Sequence, residues 1–135
     1  GKAFIRYQSP KGPRHEALVQ VFPFEEARGI VVVEGPMDAL AAAQAGYIGY
    51  ALMGMQPSRA TLMHLALLIE DNKELAVLVL LDRDSAQHGV KIVTFLSSQG
   101  YRIRMGTLPG PEKDLAECLP VKRKQILSKN FRNLF

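Results

Sequence analysis

The chain has 135 residues, 47% of them hydrophobic, with 17 basic and 13 acidic side chains and a formal net charge of +4. That length and apolar share suit one compact domain with a real core. They exclude a membrane-spanning helix, because the long apolar runs are broken by Glu34, His64 and Asp82.

Cys118 is the single cysteine, which excludes an internal disulfide framework and a multi-cysteine zinc site within the chain. It reads as a small core hydrophobe, and with no signal-peptide pattern at the start a cytoplasmic setting is expected. Charge is unevenly spread. Lys2, Arg6, Lys11 and Arg14 precede the first acid, and Lys122, Arg123, Lys124, Lys129 and Arg132 follow the last. Between them, 8 basic residues face all 13 acidic ones. An acidic centre between basic ends suggests metal-binding carboxylates beside phosphate-binding surfaces.

In chain order, residues 1–28 read as a basic N-terminal segment, 29–120 as the core and 121–135 as a basic helix or tail. Ile30 to Val33 is an apolar run without polar alternation, as a strand buried on both faces requires. Pro36 suits a first helical turn, and Met37 to Ala45 predicts an Ala-rich helix stopped by Gly46. Tyr47 to Met53 is a weaker strand closed by Gly54. Pro57 opens a second helix whose apolar face includes Leu62, Leu65 and Ile69. Leu75 to Leu81 is another buried strand. A helix over 85–99 follows, with Val90, Val93, Phe95 and Leu96 as candidate core, and Tyr101 to Leu108 is a fourth strand nearer an edge. Residues 112–119 read as a short helix. The methionines at 53, 55 and 63 read as core filling.

Strands alternating with helices imply right-handed crossovers and a doubly wound, Rossmann-like parallel sheet of about four strands with helices on both faces. In such sheets the working site lies beyond the carboxyl ends of the strands. Glu34 stands at one such end, and Asp82 and Asp84 at another. Residues two apart leaving a strand can face one ion, and Asp38 lies one helical turn beyond Glu34. Each acid alone reads as a solvated strand end or helix cap. Two acidic ends, both after apolar strands, point instead to a site for a hard cation.

These residues resemble a known family. Glu34-Gly35-Pro36-Met37-Asp38 is similar to the first motif of TOPRIM domains, and Asp82-Arg83-Asp84 to their Asp-x-Asp motif. Further segments resemble bacterial, phage and plasmid primase-like TOPRIM proteins: Tyr7-Gln8-Ser9-Pro10, Phe22 to Arg28, Ala51 to Met55, and Leu108 to Leu119, whose Asp falls on Asp114. Gln8 stands where Asn is usual, and Asp84 to Gly89 carries two extra residues.

The resemblance implies Mg²⁺ or Mn²⁺ held by Asp38, Asp82, Asp84 and Asp114, with Glu34 as ligand or general acid/base. It implies primase-like primer synthesis from nucleoside triphosphates on single-stranded DNA, with a helicase or other replication protein as partner and no membrane. Arg83 and Lys113 would contact phosphate, and Arg6, Lys11 and Arg14 would guide the template. The rival readings are a metal-dependent nuclease of the M5 or OLD kind using the same acids, and a non-catalytic nucleic-acid-binding module.

Overall fold

The computed structural model describes residues 3–8, 18–54, 57–108 and 114–132, with only the backbone of 3–8 and of Leu18. In chain order the elements are β1 (Ala3–Gln8), β2 (Leu18–Pro23), β3 (Ile30–Val33), α1 (Pro36–Gln44), β4 (Ile48–Ala51), α2 (Arg59–Glu70), β5 (Val77–Val79), α3 (Ala86–Ser98), β6 (Ile103–Met105) and α4 (Pro120–Arg132). Short 3-10 turns lie at Arg83–Ser85 and Leu115–Glu117. The strands form one sheet in the order β1-β2-β4-β3-β5-β6. From β4 to β6 all pairs are parallel, with Val31 opposite Gly49 and Leu78, whereas β1 and β2 are antiparallel to their neighbours.

The apolar runs explain the layering. Along β3 and β5 successive side chains point to opposite faces, and both faces are covered. Val31, Val33, Leu78 and Leu80 pack with α1, Ile126, Leu127 and Phe131 on one side. Ile30, Val32, Val77 and Val79 pack with Leu62, Leu65 and Ile69 of α2 and Ile92 and Leu96 of α3 on the other. The four expected parallel strands and the two helical layers are therefore present. Among the described residues no helix is long and apolar enough to cross a membrane.

Four details differ from expectation. Two strands not anticipated from the sequence lie within residues 1–28, because the sheet reaches beyond its parallel part and Val19 and Val21 alternate with Gln20 against it. Val90 is exposed: α3 presents Gly89, Ile92 and Leu96 inward, and Val90 lies about 100° round the helix from Gly89. Only Ile103–Met105 of the fourth strand enters the ladder, although the Gly106 N–H still donates to the Val79 carbonyl at 2.9 Å. Met53 and Met63 are exposed rather than buried; Met55 lies outside the described residues.

Local sequence sets the ends of the helices. Pro36 begins α1 after Gly35. Gly46, at φ 101°, turns the chain back toward β4. The Ser58 hydroxyl caps α2, accepting from the Thr61 N–H at 3.2 Å. At the other end of the chain, α4 is seated by Phe131, whose ring stacks on Tyr47 at 4.8 Å between centroids. Gly29 leaves room for that ring, since a Cβ there would lie 2.9 Å from Phe131 Cζ.

The tightest approach is between α1 and β4. A Cβ on Gly49 would overlap the Ala39 carbonyl oxygen and lie 2.6 Å from Ala39 Cα. Backbone cannot swing aside as a flexible side chain can, so Gly49→Ala should force α1 off the sheet. The expected destabilisation is about 1–3 kcal/mol or more, read as a lowered midpoint in thermal or urea denaturation. An unchanged midpoint would contradict this packing.

Candidate metal and phosphoryl-transfer site

The carboxyl ends of β3 and β5 open on the same edge of the sheet, because these strands are parallel neighbours in the ladder. Glu34 directly follows β3, and Asp82 stands three residues beyond Val79, at the start of the 3-10 turn. The Leu80 N–H still donates to the Val32 carbonyl at 2.8 Å, so β5 keeps its direction almost to Asp82. Asp38 sits in the first turn of α1, where an acid is favoured by the exposed N–H groups of the helix. Its side chain is only 7% exposed.

A third segment completes the acidic group. Asp38 Oδ1 accepts from the Ala116 N–H at 2.9 Å, across 78 residues of sequence. That bond holds the Leu115–Glu117 turn against α1. Asp114 caps the same turn, accepting from the Glu117 N–H at 3.0 Å, and so stands beside Asp38. Arg123 braces the turn from α4, donating to the carbonyls of Leu115 and Ala116 at 3.1 and 2.8 Å. Cys118 is buried just beyond, its S–H directed at the Asp114 carbonyl at 3.7 Å, as the core-hydrophobe reading expects.

The electrostatics follow from this crowding. Burial pushes the Asp38 carboxyl up from 3.8 to about 6, against the lowering effect of the Ala116 N–H. The Asp114 charge, a hydrogen bond to Asp114, and the Asp82 charge push in the same direction as burial. Asp38, Asp82 and Asp114 therefore share one electrostatic neighbourhood. Glu34 is half-buried, and its Oε1 is enclosed with no hydrogen-bond partner among the described residues. Its backbone carbonyl is held by the Met53 N–H at 2.8 Å, from a turn in which Met53 adopts φ 60°.

Asp84 is exposed and lies in the 3-10 turn, two residues beyond Asp82. Arg83 is exposed and, with Asp82, lines a cavity of about 140 Å³ that reaches Met105 to Leu108. Arg6 lies on β1 in register with Gln20, and its side chain is not described. Lys11, Arg14 and Lys113 lie outside the described residues. Sequence reading missed the Ala116 amide and the Arg123 brace. Neither has a residue-type signal, since one is a backbone group and the other is one cation among five.

The donor set fits a hard divalent cation. All candidate ligands are carboxylates, one oxygen of Glu34 lacks a partner among the described residues, and mutual repulsion among the aspartates is relieved by positive charge. The group is open rather than a closed cage: among the described residues, no three Asp, Glu, His or Cys side chains are arranged to hold an ion together. Mg²⁺ tolerates such openness, since it keeps several waters and binds through one or two carboxylates plus substrate phosphates.

The sign of the Asp38 shift gives a direct test. A raised folded-state pKa means that the folded protein holds this proton more tightly than the unfolded chain does. The resulting stability is full below about pH 4 and is lost as pH rises through about 6. Asn resembles the protonated acid, so in chelator Asp38→Asn should match the parent's melting temperature near pH 4 and exceed it by several degrees at pH 7 to 8. Melting curves across that range check this, and a constant difference would contradict it.

Comparison with known proteins gave one match. The family model described as Toprim-like covers residues 31–119. No curated protein and no solved structure matched. The matched span runs from within β3 to the residue before α4 and contains every acid described above. Such domains work in metal-dependent enzymes acting on nucleic acid, including primases, nucleases and topoisomerases. With the match extending over most of the sequence, the chain belongs to the Toprim-like family.

Proposed function

We propose that the chain catalyses primase-like nucleotidyl transfer on single-stranded DNA. The observation that carries this reading is the meeting of Asp38, Asp82 and Asp114, from three separate stretches of sequence, beyond the carboxyl ends of β3 and β5. Carboxylates that repel one another in a partly buried position are costly for stability alone. Their presence is accounted for by a function that supplies a cation.

In this reading Asp38, Asp82, Asp84 and Asp114 hold Mg²⁺ or Mn²⁺. When bound, such a cation neutralises charge on the phosphoryl oxygens of a nucleoside triphosphate. Glu34, with one unpartnered oxygen, serves as a ligand or takes the proton of the attacking 3′-hydroxyl. The new bond joins that oxygen to the α-phosphorus, and pyrophosphate leaves. Arg83 and Lys113 contact phosphate, and Arg6, Lys11 and Arg14 guide the template. The choice of primase over the other chemistries of the family rests on four segments near the acids: Tyr7 to Pro10, Phe22 to Arg28, Ala51 to Met55 and Leu108 to Leu119.

The test is incubation with single-stranded DNA, labelled nucleoside triphosphates and Mg²⁺ or Mn²⁺. Short oligonucleotides are expected to form. Glu34→Gln and Asp82→Asn should each reduce them by more than the ~10–100-fold that losing an outer hydrogen-bond partner of a ligand costs. Metal-dependent shortening of the DNA would replace this reading with a nuclease. Binding without either product would replace it with a binding module.

A further inference from the structure

The cations of α4 do not all share one task. Arg123 is turned inward, onto the carbonyls of Leu115 and Ala116 and the Gln44 side-chain oxygen. Lys122 and Lys129 instead line a cavity of about 350 Å³ between α4 and the edge strand β6, together with Arg104, Thr107, Gln125 and Asn130. Three cations, a hydroxyl and two amides form its polar lining, and no carboxylate is among the lining residues. Arg104 is the unexpected member. It is in register with the fully buried Leu78, so it stands on the sheet face that α4 covers, and it is half-buried there. Placing a cation on a face otherwise given to core packing calls for an anion opposite it.

The cavity also has a direction. Thr107 lines both this space and the neighbouring one walled by Asp82 and Arg83. The basic cavity thus adjoins the space walled by Asp82 and Arg83, with Thr107 common to both, beyond the carboxyl end of β6. We propose that it is a backbone-phosphate track for a single nucleic-acid strand, which it leads to Asp82. This rests on the reading of the acidic group as a phosphoryl-transfer site. Planar guanidinium, lysine ammonium, hydroxyl and amide N–H donors together suit phosphate oxygens. A free nucleotide would need the acidic end alone. A strand engages both ends at once, which accounts for the two cavities sharing a wall.

Binding should be measured without catalysis, by fluorescence anisotropy of a labelled single-stranded oligonucleotide in chelator, over salt from ~50 to ~200 mM. The chain is expected to bind, with affinity falling as salt rises. Arg104→Gln combined with Lys129→Gln should weaken binding at least ~10-fold at low salt. It should also flatten the slope of log K against log salt by about 1.4, two contacts at ~0.7 each. Lys129→Glu, at an exposed helical position, should shift binding in the same direction if the double variant fails to fold by circular dichroism.

Parent-like affinity and slope in the double variant would overturn the proposal, as would absence of strand binding by the parent. Loss of nucleoside triphosphate binding with oligonucleotide binding intact would also overturn it, assigning the cavity to free nucleotide. The two readings fail separately. A parent that binds the strand through this cavity but neither extends nor shortens it keeps the track and loses the catalytic reading. A double variant that reacts at the parental rate with subsaturating DNA does the reverse.

Discussion

The hydrogen bond from the Ala116 amide to the Asp38 carboxylate joins the start of α1 to a segment 78 residues later, and the site is organised around it. A nearly buried carboxylate is expensive to hold without a donor. The backbone N–H supplies one, and in doing so it draws the 115–117 turn onto α1. Asp114 caps that same turn and so stands beside Asp38. Arg123 then ties the carbonyls of the turn to α4, so helix, turn and acid are joined through hydrogen bonds.

The sheet explains why chemistry is confined to this edge. Helices cover both faces of β3 and β5, and no polar group on those strands reaches solvent through them. Only where the strands end can charged side chains meet water and substrate. The close seating of α1 on Gly49 places Asp38 near those ends, and the Met53 turn closes over the Glu34 carbonyl on the neighbouring side. Elsewhere Gln20 and Tyr50, partners across β2 and β4, are fully buried, and their polar ends have no hydrogen-bond partner among the described residues.

Charge is arranged by position rather than by amount. The acids gather at the ends of β3 and β5, while Arg104 on β6 and Lys122 and Lys129 on α4 line the basic cavity, with Thr107 common to the two spaces. A net charge of +4 conveys none of this, because the two sets cancel in the sum. For a polyanion, an acidic site with a basic approach combines attraction along the strand with a place for metal at the reacting phosphate.

Much of this was legible in residue order alone. Apolar runs such as Ile30–Val33 and Leu75–Leu81 dictate buried parallel strands because no polar alternation offers a wet face, and Pro36, Gly46 and the Glu-Gly and Asp-x-Asp motifs mark where those strands give way to the site. The antiparallel strands β1 and β2 were not legible. Short alternating segments are claimed by a sheet only when its edge is present to pair with them. The inward face of α3 was misjudged at Val90 for a related reason: the phase of a helix is set by where Gly89 meets Met105, a contact between elements. Strand ends and family resemblance named Asp38, Asp82 and Asp114 as candidates, but only tertiary structure tied Asp38 to the turn that Asp114 caps and put Arg104 on the face that α4 covers. Long-range proximity depends on strand order and on backbone hydrogen bonds, which carry no residue-type signature.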